Sequence, residues 1–175
     1  MTSIEVEEVL LDLLKNVKKN LLILHTPEVS SLVGEVLLKP EKWINSGKTL
    51  FIGPVDRMRR SMQGYEGSGE LFLADLNDVV FTLKRDPEEL EEFSNFIEEC
   101  TEVVILNYHS LFEPLRDMGV LLRLEESFQK TRIVLTQTFL SDGGVPLKIW
   151  REPLRLDEAI IVYSKKKYGR APLQL

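Results

Sequence analysis

The sequence predicts an α/β protein: a three-layer, mostly parallel sheet flanked by helices, with a β-hairpin at the C-terminal end. Three observations predict it. Short apolar runs of strand length recur along the chain (Leu21–His25, Thr49–Gly53, Leu71–Leu76, Val103–Asn107 and Arg132–Gln137), with stretches of helical period between them. The alternation of strand and helix along the chain is that of a doubly wound sheet. Thr26-Pro27-Glu28 and Asp86-Pro87-Glu88 each supply an N-cap, a proline at the first helical position and an acid for the positive end of the helix dipole.

The elements follow in order. Thr2 and Glu5 have capping-box spacing, and Val6, Val9, Leu10, Leu13, Leu14 and Val17 recur every 3.6 residues, so residues 3–19 read as an amphipathic helix. Leu21–His25 is a buried strand, and a helix runs from Pro27 to about Lys39, with Pro40 just beyond its end. Asn45-Ser46-Gly47 forms a turn into a second strand, Thr49–Gly53. Pro54–Met62 is a short helix with a basic face of Arg57, Arg59 and Arg60, and the glycines of Gln63–Gly69 make a loop. Leu71–Leu76 is a third strand. Val79–Leu83, short and β-branched, leaves strand and helix both open. Asp86 starts a helix to about Glu99, Val103–Asn107 is a strand, Leu115–Lys130 has helical spacing, and Arg132–Gln137 is a strand. Ser141–Gly144 is a loop. Leu156–Tyr163 and Ala171–Leu175 form the terminal hairpin around Lys165–Gly169. Residues 1–20 therefore read as an N-terminal helix and residues 21–175 as the core of one domain.

Composition narrows the function classes. A chain of 175 residues, 43% hydrophobic and 29% charged, can bury its own core. Cys100 is the lone cysteine, which excludes an internal disulfide and suits a reducing compartment. No apolar run approaches the roughly 20 residues that span a bilayer, and the acidic start is not a signal peptide. The expectation is a cytoplasmic protein without a membrane partner. Net charge is −6, which weighs against nucleic acid as the main partner. Residues 141–175 nevertheless carry seven Lys and Arg against four acids, which leaves −9 on residues 1–140.

No motif brings catalytic residues together. Gly47-Lys48-Thr49 ends like a phosphate-binding loop, but Lys42 stands where the first glycine belongs, and the triplet opens a strand rather than a helix. At the first strand–helix junction, His25-Thr26-Pro27-Glu28-Val29-Ser30-Ser31 offers neither glycine nor lysine, and Glu28 repels an anion. Thr26 and Glu28 are expected to occupy the helix-end amides. Asn107 ends its strand where a magnesium-binding aspartate would stand, and an amide supplies no negative charge. His109 and Ser110 adjoin without an orienting third member, so no catalytic residue is assigned. His25, Asp75, Asn107, His109 and Gln137 would instead line a ligand pocket at the carboxyl edge of the sheet. Two histidines with Asp75 or Asp78 lack the spacing of a metal-ligand pair, and no metal or cofactor is expected. Arg57, Arg59 and Arg60, with Lys165, Lys166, Lys167 and Arg170, form the basic set that would contact a polyanion.

Four segments carry a resemblance. Gly47-Lys48-Thr49-Leu50-Phe51-Ile52-Gly53 resembles the second strand of a RecA-type ATPase core of the archaeal recombinase (RadA) and KaiC-like group. Glu102–Leu111 resembles its Walker B strand, Ile133–Thr138 the strand that follows, and Ala159–Val162 with Lys165–Arg170 its closing hairpin and basic turn. The resemblance implies a RecA-like fold with a degenerate nucleotide site at Thr26, Glu28, Ser30, Ser31, Asn107 and Gln137. Walker A glycines and lysine are missing and the Walker B aspartate is Asn107, so it further implies a protein that no longer hydrolyses ATP. Such paralogues serve as partners or scaffolds, which points to a protein partner, either a RecA-fold ATPase or a second copy of this chain.

Overall fold

The computed structural model describes residues 5–16, 19–44, 46–116, 119–139, 149–150, 155–171 and 173–174. Seven strands form the main sheet: β1 (Leu21–His25), β2 (Lys48–Gly53), β3 (Glu70–Asp75), β4 (Glu102–Ile105), β5 (Arg132–Thr138), β7 (Glu158–Val162) and β8 (Tyr168–Ala171). Their order is β3-β2-β4-β5-β1-β7-β8, with every pair parallel except the antiparallel β7–β8 hairpin. A separate two-stranded parallel sheet joins β6 (Ile149–Trp150) to β9 (Leu173–Gln174).

The apolar runs are strands because both of their faces are buried. Leu22, Leu24, Leu50, Ile52, Ile105 and Leu135 project into one core, which is covered by α4 (Leu76–Arg85), α5 (Pro87–Glu99), α6 (His109–Leu115) and α7 (Val120–Ser127). Their neighbours Leu21, Ile23, Phe51, Val104 and Val134 project into the other core, under α1 (Val6–Asn16), α2 (Ser30–Leu37) and α3 (Val55–Ser61). Side chains alternate between faces along a strand, so one apolar run feeds both cores. The result is a three-layer α/β sandwich, as expected.

Local chemistry sets the helix boundaries. Val79–Leu83 is helical because Asp75 caps α4, its carboxylate accepting the amides of Asn77 at 3.0 Å and Asp78 at 3.3 Å. Asp86 caps α5 through the amide of Glu88 at 3.0 Å. The helix expected over Leu115–Lys130 is interrupted: Gly119, at φ +70°, precedes α7, and Leu115 belongs to α6. The helix expected from Pro27 to Lys39 is a 3₁₀ turn, Pro27–Val29, followed by α2, which ends at Leu37. The hairpin's return strand is Tyr168–Ala171, earlier than the expected Ala171–Leu175, because the pairing of Val162 with Tyr168 makes a tighter turn. The Thr2 capping box and the Ser141–Gly144 loop lie outside the described residues.

Candidate functional site

Ligands of open α/β sheets bind outside the carboxyl ends of the strands, where neighbouring strands send their connections to opposite faces. β2 and β4 are such neighbours: β2 leads to α3 on one face, β4 to α6 on the other. The crevice here is a small cavity of about 60 Å³. His25 comes from the end of β1, Ser30 and Gly34 from α2, Arg57 from α3, Asn107 from the turn after β4, and Thr136 and Thr138 from β5.

His25 is buried. Its Nδ1 donates to the carbonyl oxygen of Thr26 at 3.0 Å and lies 3.5 Å from Ser30 Oγ. Burial lowers its pKa; the hydrogen bond to Thr26 opposes this in part, and the nearby Arg57 cation adds a smaller downward push. The imidazole is therefore neutral at pH 7. The Arg57 guanidinium lies so close to Gly34 that a Cβ there would overlap it. Thr26 does not cap the helix: its hydroxyl donates to the carbonyl of Tyr163 at 3.2 Å, tying β1 to the end of β7. Glu28 and Ser31 are exposed, and neither lines the cavity.

Asn107 turns the chain at φ 54°, a left-handed conformation that asparagine tolerates better than most residues. Its backbone N–H donates to Thr136 Oγ1 at 3.1 Å, and its side-chain oxygen accepts from Thr138 Oγ1 at 3.4 Å. Gln137 is committed as well. Its Oε1 accepts the His109 amide at 3.2 Å and its Nε2 donates to the Thr138 carbonyl at 3.3 Å. The His109 ring stacks on Tyr108 at 4.3 Å, and desolvation lowers its pKa.

Of the expected pocket residues, His25 and Asn107 meet at the cavity, while Asp75 does not. Asp75 caps α4 and faces a separate groove between β3, α4 and α5, together with Asp78. Among the described residues, no group of three His, Cys, Asp or Glu side chains could hold a metal ion. The basic set also divides. Arg57, Arg59 and Arg60 ride on α3 beside β2 and β3, whereas Lys165, Lys166 and Lys167 turn between β7 and β8, about 25 Å away across the sheet. Arg170 pairs with Glu158 at 3.1 Å, and the Lys167 ammonium lies 5.3 Å from the Tyr163 ring centre. No described helix is long and apolar enough to cross a membrane.

Thr136 and Thr138 are cavity residues that motif reading passes over. Their signal was present as hydroxyls at alternate positions ending an apolar strand. The fold and site define a three-layer α/β protein with a small, internally hydrogen-bonded crevice at the carboxyl edge of its sheet. No protein-family model matches the chain, and the search of curated proteins returned no match.

Proposed function

We propose that this chain is a non-catalytic RecA-fold protein that acts by binding, as an accessory subunit in DNA recombination or repair or in KaiC-like regulation. The small size of the crevice carries the reading. Small-molecule sites usually measure about 300–1,000 Å³, against about 60 Å³ here. A phosphate cradle would need backbone amides free at a glycine-rich turn. This chain has instead a proline-led 3₁₀ turn, a buried neutral histidine and an arginine packed on Gly34. Asn107 brings no charge for a metal, and its backbone N–H and side-chain oxygen bond to Thr136 and Thr138. The doubly wound sheet with helices on both faces supports the RecA-type succession of strands.

An enzyme working through His25, Asp75 and His109 draws less support, since Asp75 faces a different groove. A DNA-binding role draws less as well, since the basic residues are split between two places on the sheet. Calorimetric titration with ATP and magnesium tests the leading reading. The expected result is no binding heat and no phosphate release. Micromolar binding with magnesium-dependent turnover overturns it.

A further inference from the structure

The strongest unassigned surface is the β3 edge of the sheet. β3 pairs with β2, and among the described residues nothing pairs with its other side. An unpaired strand edge presents free backbone donors and acceptors to a further strand. This edge is also only partly buried, and a groove opens beside it on each face. On the α3 side a groove of about 620 Å³ is lined by Arg59, Arg60, Met62, Tyr65, Leu71 and Leu73. Among the described residues, neither arginine has an ion pair or hydrogen bond and the buried Tyr65 hydroxyl has no hydrogen-bond partner. On the α4 side a groove of about 500 Å³ is walled by Asp75, Asp78, Glu89 and Glu92, with Ala74 and Phe93 between them.

We infer that the β3 edge receives an extended segment of a partner protein whose basic residues alternate with acidic or apolar ones. Successive side chains of a strand point to opposite faces. A segment hydrogen-bonded along β3 would therefore send one set of side chains to the arginine groove and the alternate set to the carboxylate groove. Backbone pairing would supply affinity and the two grooves selectivity. The charges also argue against a second copy of this chain. Two β3 strands paired antiparallel about a two-fold axis keep the same faces aligned. That would set Arg59 and Arg60 beside their own duplicates, and the carboxylates beside theirs. This surface rests on the reading of the chain as a binding subunit and gives its partner a chemistry.

Fluorescence anisotropy with the full chain tests it. One labelled ten-residue peptide alternates lysine with leucine and aspartate; a second has the same composition in blocks; a third is the alternating peptide N-methylated on every other amide. Saturable binding of the first is expected, at least tenfold weaker for the other two peptides and for the Arg59→Glu/Arg60→Glu variant. Equal affinity for the three peptides, or no saturable binding, overturns the proposal. So does a dimer, seen by light scattering, that dissociates in the same variant, because the edge would then belong to a second copy. ATP turnover would sink the non-catalytic reading without altering the anisotropy, so the two failures are told apart.

Discussion

Arg132 shows how one side chain joins two layers. It sits at the start of β5, yet its guanidinium donates to the carbonyls of Leu13 at 3.1 Å, Leu14 at 2.8 Å and Lys19 at 3.0 Å, and to the Glu102 carboxylate at 3.3 Å. Only 9% of the side chain is exposed. The last carbonyls of a helix have no intrahelical donor, so this arginine satisfies the end of α1 and fixes it on the sheet. Arg132→Ala should cost about 3 kcal/mol, a fall in Tm on the order of 10 °C in a thermal melt. Arg132→Lys should recover little of it, because an ammonium lacks the planar fork that reaches three carbonyls. Cys100 is the opposite case, a residue whose environment silences it. Burial pushes its thiol up to about 11, and its Sγ lies 3.3 Å from the Phe96 carbonyl oxygen. A disulfide reagent at pH 8 should label the folded chain far more slowly than the denatured one; equal rates would refute the burial.

Among the elements, turns and helix breaks carry the testable strain. Gly119 and Gly47 both have positive φ, +70° and +92°. A Cβ at Gly119 meets nothing within 4 Å, so Gly119→Ala should cost only the backbone strain, about 1 kcal/mol. A Cβ at Gly47 would overlap the Thr101 hydroxyl, so Gly47→Ala should cost more, on the order of 2–3 kcal/mol. Urea denaturation of both variants checks the ranking. α7 is tied to α5 by Arg123, whose guanidinium meets Glu91 at 2.8 Å and Glu98 at 3.1 Å. That network holds α7 against α5, while the separation of α7 from α6 falls at Gly119. Periodicity over Leu115–Lys130 shows the apolar positions but not the break, because both short helices place Leu115 and Leu124 in the same core.

For the whole molecule, the two histidines link stability to pH. His25 and His109 both have pKa values lowered by burial, so the unfolded chain takes up protons first as pH falls. Their contribution to stability is complete above about pH 6.5, the ordinary imidazole value, and is lost as pH falls toward the lowered folded values. Tm should therefore be lower at pH 5 than at pH 7, and His25→Gln should flatten part of that slope. An unchanged slope would mean that His25 is not the group responsible. The layers and most strands were legible in sequence because burial on both faces demands apolar runs, which Leu21–His25 and Val103–Ile105 display openly. The helix caps at Asp75 and Asp86 were less evenly legible: proline advertised the second, while nothing but an aspartate marked the first. The site was legible as separate residues and not as a site, since His25 and Asn107 meet only because β5 lies between β1 and β4. By itself the sequence determined the α/β class, the absence of a phosphate-loop motif and the neutral residue at position 107, because these follow from residue type and local period. Tertiary structure alone decided that Thr26 bonds to Tyr163 rather than capping a helix, that the basic residues divide across the sheet, and that β3 is left at an edge between two oppositely charged grooves. Strand order brings together residues far apart in the chain, and local period says nothing about which strands become neighbours.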